Sequence, residues 1–367
     1  MPPVPPPPSS GARLAPLSSL SPISVIVPVH NRSDLAARCL AALSRWTTPL
    51  EIIVVDDGST DPGVELLRHA DLARPAFHAC KWLSNPEARG FSAAVNRGLA
   101  GATGDPLLLL NSDAEVTEGG DHALRAAFAA AEETRAGGTP GAIGALGAIA
   151  ARLVYPDGRP QWSGGSFPSL LWLFALASGL GRDARLRLGH LRPLRTLRTT
   201  PPSGFGGGAV DWAPGAALAI RRSAWEAVGP FDESYRHYAQ DLDYCQRLAA
   251  AGGSVRVLPD WIVVHHLGGS VGHLGAPASP QTSAGPAAGY DGQRLDLLWL
   301  DLLHWARRHR SAGWARRARR ALLFGGRLRQ LRLAARGQTG EARAVASALA
   351  AVAAVAGVAG VPEGAAR

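Results

Sequence analysis

Leu107-Leu108-Leu109-Leu110-Asn111-Ser112-Asp113-Ala114 is the stretch on which the fold is decided. Four consecutive leucines, led in by Gly104-Asp105-Pro106, predict a short strand buried on both faces. Such runs suit the middle of a parallel sheet. The run breaks into Asn-Ser-Asp, and in open α/β sheets ligands sit just past the carboxyl ends of strands. A carboxylate there can hold a hard divalent cation, and the cation can hold a diphosphate. Taken alone, Asp113 reads first as the cap of a turn or of the next helix.

Upstream, the pattern repeats. The β-branched run that begins at Ile23 reads as the first strand, and Pro28-Val29-His30-Asn31 as the loop leaving its C-terminal end. Ser33 is the expected N-cap of a helix with Leu35, Cys39, Leu43 and Trp46 on one face, stopped by Thr48-Pro49. Leu50 to Val55 is a second buried strand ending in Asp56-Asp57-Gly58-Ser59-Thr60. A short helix over Pro62 to Ala70 and a strand near Ala79 to Leu83 follow. Arg89-Gly90 then opens a helix, a place where backbone N–H groups can meet phosphate. Downstream come a helix over Asp121 to Arg135, a strand around Ala142 to Leu153 and a turn at Tyr155-Pro156-Asp157-Gly158. Strands alternating with helices predict an α/β, doubly wound, mostly parallel sheet with helices on both faces.

Composition sets outer limits. The chain has 367 residues, a formal charge of +9 and 46% hydrophobic residues, enough for one large domain plus an appendage. Lys81 is the only lysine, and the arginine excess beside so much Ala, Gly and Pro reads partly as codon composition. The basic charge favours acidic partners: nucleotides, anionic lipid or nucleic acid. Cys39, Cys80 and Cys245 lack metal-site spacing, which fits a reducing compartment without a disulfide framework. Met1 to Leu20 is Pro- and Ser-rich without the pattern of a secretory signal. Ala344 to Val361 is uncharged but poor in Leu, Ile and Phe, so a helix that does not span a membrane is the favoured reading.

SVIVPVHN (24–31), IIVVDDGST (52–60), ARGFSAAVNRGL (88–99) and LLLLNSDAEV (107–116), in this order, resemble the nucleotide-binding half of the family 2 glycosyltransferases. These are inverting enzymes of the GT-A fold. The later blocks WAPGAALAIRR (212–222), VGPFDE (228–233), YAQDLDYCQRL (238–248) and HHLGGS (265–270) continue the match, over Ser21 to His273. The resemblance implies that Asp56 and Asp57 receive the nucleoside, with Pro28 and Asn31 lining the pocket and Arg89 and Gly90 near phosphate. Asp113 and His265 would hold Mg2+ or Mn2+, with Asn111 where the family's first aspartate often stands and His266 as the competing ligand. Asn-x-Asp is a variant associated with bacterial members. Asp241 would be the catalytic base, with Asp243 as the other base candidate or a structural acid, and Trp212 and Gly215 on the acceptor side. Gln240 replaces the usual Glu, and one charge less beside Asp241 would leave its pKa lower than in relatives.

Within the family the later blocks look most like bacterial rhamnosyltransferase-type members. That implies a dTDP-, UDP- or GDP-linked sugar donor and a saccharide or lipid-linked acceptor, at the inner, cytoplasmic face of the membrane. The expected organisation is a Pro/Ser-rich 1–20, a glycosyltransferase domain over 21–275 and a helical basic region over 276–367. Inside the domain lie a nucleotide half at 21–120, an insertion at 162–204 and an acceptor half at 205–273. Within the insertion, apolar Trp162 to Leu180 precedes Arg/Leu-rich Arg182 to Arg198, which reads as a lipid-surface segment or an ordinary helical insertion. Pro201 to Gly208 and Gly272 to Pro286 read as loops. Leu295, Leu298, Leu302 and Trp305 predict a packed helix, and basic Arg316 to Arg336 either packs or meets a membrane. A scaffold that kept the fold and lost activity is the alternative function, favoured by Asn111 and Gln240. Nucleic-acid binding has no helix-turn-helix, zinc-finger or RNA-binding aromatic motif behind it.

Overall fold

The computed structural model describes residues 21–69, 77–136, 146–180, 207–266 and 294–355. The expectations for 1–20, 182–198 and 272–286, most of 201–208, and the ends of the 142–153 strand and the 344–361 helix lie outside these residues. The chain divides into two units. The first holds Met1–Ser166, Pro202–Glu233 and Asp241–Ser270, and the second Phe167–Pro201, Ser234–Gln240 and Val271–Arg367.

The first unit is built on a nine-stranded sheet. In chain order its elements are β1 Ile23–Val29, α1 Ser33–Leu43, β2 Leu50–Asp57, α2 Pro62–His69, β3 Phe77–Asn85, α3 Phe91–Gly101 and β4 Leu107–Leu110. Then come β5 Ala114–Val116, α4 Gly120–Ala136, β6 Leu146–Val154, β7 Gly208–Val210, β8 Ala217–Ile220, α6 Arg222–Val228, α7 Gln240–Ala250 and β9 Ser254–His265. The strand order is β3-β2-β1-β4-β8-β6-β9-β5, with β7 also on β9. The α/β expectation holds. The sheet is mixed rather than mostly parallel: β3-β2-β1-β4 are parallel and β6 pairs parallel with β9, while β8 runs antiparallel to both β4 and β6, and β5 and β7 run antiparallel to β9.

The four leucines of β4 are all fully buried, between β1 and β8. Chain order runs from β1 to β2 on one side, while β4 lies on the other. The carboxyl ends of β1 and β4 therefore flank a switch point, where an open α/β sheet leaves a crevice. Antiparallel β8 brings its entering end to the same edge, pairing Leu110 with Ala217. Antiparallel β5 and β9 bring Ala114 opposite His265.

On α1, Leu35, Ala36, Cys39, Leu40, Ala42 and Leu43 are buried. Burying each large aliphatic side chain is worth about 1.5–3 kcal/mol. Trp46 lies 6.5 Å from Trp261 and donates its indole N–H to the Thr117 carbonyl. At the opposite edge of the sheet, Glu51 is buried. Burial would raise its carboxyl, but hydrogen bonds from Lys81, Ser24 and the Thr103 N–H outweigh that and hold it at about 2.

Ser33 corrects one expectation. It is the first helical residue, and the cap position is Arg32 in left-handed backbone. The Ser33 N–H goes to Asp61 Oδ2 at 2.9 Å. The reason is Asn31, also left-handed, whose side-chain oxygen is held by the N–H groups of Thr60 and Asp61.

The second unit contains α5 Leu170–Ser178, the 234–240 segment, α8 Leu295–His309, α9 Ala312–Ala335 and α10 Thr339–Ala354. Leu298, Leu302 and Trp305 are buried as the spacing predicted. Asp301 is buried and accepts from the N–H groups of Arg236, His237 and Tyr238, which pins the segment leading to α7. Val345, Ala348 and Val352 of α10 are buried. Among the described residues no helix is long and apolar enough to cross a membrane.

Candidate active site

Asp56 and Asp57 end β2, and their side chains do different work. Asp57 Oδ1 accepts from the Asn85 amide at 2.7 Å and the Arg89 N–H at 3.0 Å, and Oδ2 accepts from the Gly90 N–H at 2.7 Å. Each N–H stripped of its acceptor would cost about 1–3 kcal/mol. Asp57 therefore builds the 85–90 turn. Gly58 lets that turn close, since a Cβ there would sit 2.5 Å from the Ala88 nitrogen. Asp56 is only half-buried and accepts from the Ser59 N–H through Oδ1. Of the two, Asp56 is the one placed to meet a ligand.

Pro28 is at the end of β1, with Asn31 in the loop that follows. Asn31 staples that loop to residues 59–61 rather than projecting freely. Gly90 precedes α3 at φ 93°, with its N–H given to Asp57. Arg89 pairs with Glu233 at 3.1 Å, and both side chains are exposed. Such a pair is worth no more than about 1 kcal/mol, so Arg89 can exchange Glu233 for a phosphate at little cost.

Asp113 and His265 converge at the carboxyl ends of β4 and β9. Asp113 Oδ1 lies 3.3 Å from His265 Nε2. The pair is close, yet Asp113 Oδ1 has no hydrogen-bond partner and almost no exposure, and the same holds for Asn111 Oδ1. Two donors of one ion at about 2.1 Å, a right angle apart, would be about 3.0 Å from each other. A buried, unsatisfied carboxylate oxygen beside an imidazole nitrogen fits a divalent cation. Among the described residues no group of three or more His, Cys, Asp or Glu side chains gathers to hold a metal. His266 faces elsewhere: its Nε2 pairs with Glu115 at 2.8 Å. Adjacent residues of a strand point to opposite faces, which separates the two histidines.

Asp241 lies at the first turn of α7. Its Oδ2 accepts the Gly215 N–H at 3.0 Å and its Oδ1 the Leu242 N–H at 2.8 Å. Burial pushes its carboxyl up to about 6, against these N–H groups, which pull it down. Asp243 is fully buried and paired with Arg247 at 2.8 Å, which makes it the structural acid. A Cβ on Gly215 would lie 3.3 Å from the Phe91 ring and 3.9 Å from Asp241 Cβ. Glycine thus allows the start of α3 and Asp241 to approach one another.

Trp212 donates its indole N–H to the Ser166 carbonyl and packs on Trp162, ring centres 4.5 Å apart and tilted by 54°. Sequence reading missed Trp162, Phe91 and above all Gln161. Gln161 is buried and meets His265 at both ends of its amide. No local pattern marks it, because its partner is 104 residues away.

A family model described as "Glycosyl transferase family 2" matches residues 24–154. Two proteins of Mycobacterium tuberculosis are similar. The "Pre-mycofactocin glycosyltransferase" is 29% identical over 66% of this chain and 42% of its own length. The "N-acetylglucosaminyl-diphospho-decaprenol L-rhamnosyltransferase" is 29% identical over 68% of this chain and 78% of its own. The chain thus spans about two fifths of the first relative and about four fifths of the second. Among solved structures, a mannosyltransferase from Pyrobaculum calidifontis in complex with GDP-Man and Mn2+ aligns with a TM-score of 0.47 at 19% identity, covering 94% of this chain and 90% of that one.

Proposed function

From the match of residues 24–154 to the "Glycosyl transferase family 2" model, we propose that the chain is an inverting glycosyltransferase. It moves a sugar, rhamnosyl by similarity to the rhamnosyltransferase relative, from a nucleoside diphosphate to a hydroxyl of a lipid-linked saccharide. The observation that carries this reading is Asp113 Oδ1, buried without a hydrogen-bond partner and 3.3 Å from His265 Nε2 at the carboxyl ends of β4 and β9, in a domain whose Asp241 carboxyl is pushed up to about 6.

In this reading Asp56 receives the nucleoside, in a pocket lined by Pro28 and Asn31 and shaped by the Asp57-held turn. Arg89 leaves Glu233 for the diphosphate, beside Gly90. Asp113 and His265, with Asn111, hold Mg2+ or Mn2+, which when bound neutralises charge on the departing diphosphate. The acceptor oxygen attacks the anomeric carbon as the carbon–phosphate-oxygen bond breaks on the opposite face. Its proton passes to Asp241, which the Gly215 N–H orients. Trp212 and Trp162 offer an apolar face to the acceptor sugar.

A panel of dTDP-, UDP- and GDP-sugars, offered with Mn2+ and a polyprenyl-diphosphate-linked N-acetylglucosamine, tests the function. Release of one nucleoside diphosphate together with glycosylated lipid is expected. Nucleotide binding without turnover of any donor would instead support a scaffold, the reading that Asn111 and Gln240 favour.

A lipid-linked acceptor calls for contact with the inner face of the cytoplasmic membrane, and α9 is suited to it. The helix carries seven arginines and no acid. Arg319 and Arg332 turn inward onto the carbonyls of Val352, Ala353 and Ser178. Arg316, Arg317, Arg320, Phe324, Arg327 and Leu331 are exposed at helical spacing. Phe324 stacks on Phe174 of α5, whose Leu171 is also exposed. Aromatic and aliphatic side chains among arginines favour an anionic bilayer surface. Co-sedimentation with phosphatidylglycerol-containing vesicles should exceed that with pure phosphatidylcholine, and the double variant Phe324→Glu, Leu331→Glu should abolish the difference. Equal pelleting with both vesicle types would refute the contact.

A further inference from the structure

Gln161 follows β6, with its backbone N–H given to the Leu153 carbonyl and its side chain 4% exposed. Its Nε2 lies 2.6 Å from the His265 carbonyl oxygen and its Oε1 lies 3.0 Å from His265 Nδ1. An amide side chain has one donating and one accepting end. A backbone carbonyl only accepts, so the amide nitrogen must face it. That orientation leaves Oε1 at the imidazole, and Oε1 also only accepts. His265 Nδ1 must therefore carry a proton. A neutral imidazole carries one N–H, so its Nε2 then presents a lone pair. That lone pair is aimed toward Asp113 Oδ1, 3.3 Å away. Asp113 Oδ1 has no hydrogen-bond partner. Two lone-pair donors facing each other in a buried place repel unless a cation lies between them.

The geometry points to Gln161 as the positioning residue that sets the tautomer and ring orientation of His265, so that Nε2 is ready for a divalent cation before one arrives. It contacts neither substrate nor metal and acts through the histidine. The pairing is bidentate: the carbonyl of His265 orients the amide, and the amide orients the ring of the same residue. The backbone of β9 is thereby used to fix the protonation pattern of its own last side chain. Such partners of a ligating histidine typically change metal affinity by about 10–100-fold when removed. The inference rests on the reading of His265 as a ligand only in its consequence for metal. The tautomer itself belongs to the metal-free protein.

Two measurements test it on the full chain. Long-range proton–nitrogen NMR of the His265 ring in metal-free protein should show the Nδ1–H form in wild type. Gln161→Met, close in size but unable to accept the hydrogen bond, should populate the Nε2–H form. Gln161→Glu loses the donor to the His265 carbonyl but keeps an acceptor at Nδ1, so it should keep the Nδ1–H form, which separates tautomer control from general packing. Titration with Mn2+ alone, followed by electron paramagnetic resonance, should show Gln161→Met binding at least tenfold more weakly than wild type, with Gln161→Glu nearer wild type. An unchanged tautomer in a folded Gln161→Met protein, or unchanged Mn2+ affinity in a wild type that binds it, overturns the assignment. A tautomer that responds to Gln161 in a chain that binds no Mn2+ would uphold the positioning role and remove His265 as a metal ligand.

Discussion

Asp241→Asn is expected to lower kcat by about 10²–10⁴-fold, the usual contribution of a general base, while nucleotide affinity stays within about twofold of wild type. Asparagine keeps the shape of the side chain and can still accept the Gly215 N–H. It cannot take the acceptor's proton. With the carboxyl pushed up to about 6 by burial, the ionised and active form is lost as pH falls through 6. The wild-type profile of kcat/KM should therefore rise to a plateau above that value. Stability moves the opposite way. The folded state holds a proton that an unfolded aspartate releases near pH 4, so ionisation opposes folding as pH rises from about 4 through 6. At pH 7.5 the Asn variant should consequently melt no lower than wild type. Steady-state kinetics and thermal melts check both parts. Retained turnover with an unshifted profile would transfer the role of base to another group.

Asp113→Ala should reduce transfer by at least about 10²-fold, since charge neutralisation by a metal ion is worth several kcal/mol. The substitution leaves His265 Nε2 without the carboxylate that stands 3.3 Å from it. His265→Ala should follow the same pattern. His266→Ala should cost far less, because His266 is engaged with Glu115 on the other side of β9. This contrast decides between neighbouring histidines that sequence alone left open. If His266→Ala were the more damaging change, the ligand assignment would be reversed.

The nucleotide half was readable because its signals are local. An apolar run ending in polar residues is a strand with its carboxyl end at a crevice, and Ile23–Val29, Leu50–Asp57 and Leu107–Leu110 all behave so. What sequence could not supply is the partner of each side chain. Asp57 reads as a ligand for the nucleoside, yet its oxygens are engaged by N–H groups from residues 85–90, about thirty residues on. Ser33 reads as a cap until Asn31 draws the preceding backbone into left-handed conformation. Gln161 has no pattern around it and acquires a role only when β6 and β9 pair. The level of Asp241 likewise follows from burial, which tertiary packing creates, rather than from its neighbour Gln240.

Calorimetric titration of UDP, dTDP and GDP, each with and without Mn2+, into wild type and Asp113→Ala tests the central claim most directly. One nucleotide should bind wild type with an affinity that Mn2+ raises at least tenfold, and the variant should lose that increment while keeping its fold. Binding that ignores Mn2+, or an increment that survives in Asp113→Ala, would contradict a metal–diphosphate site at the end of β4.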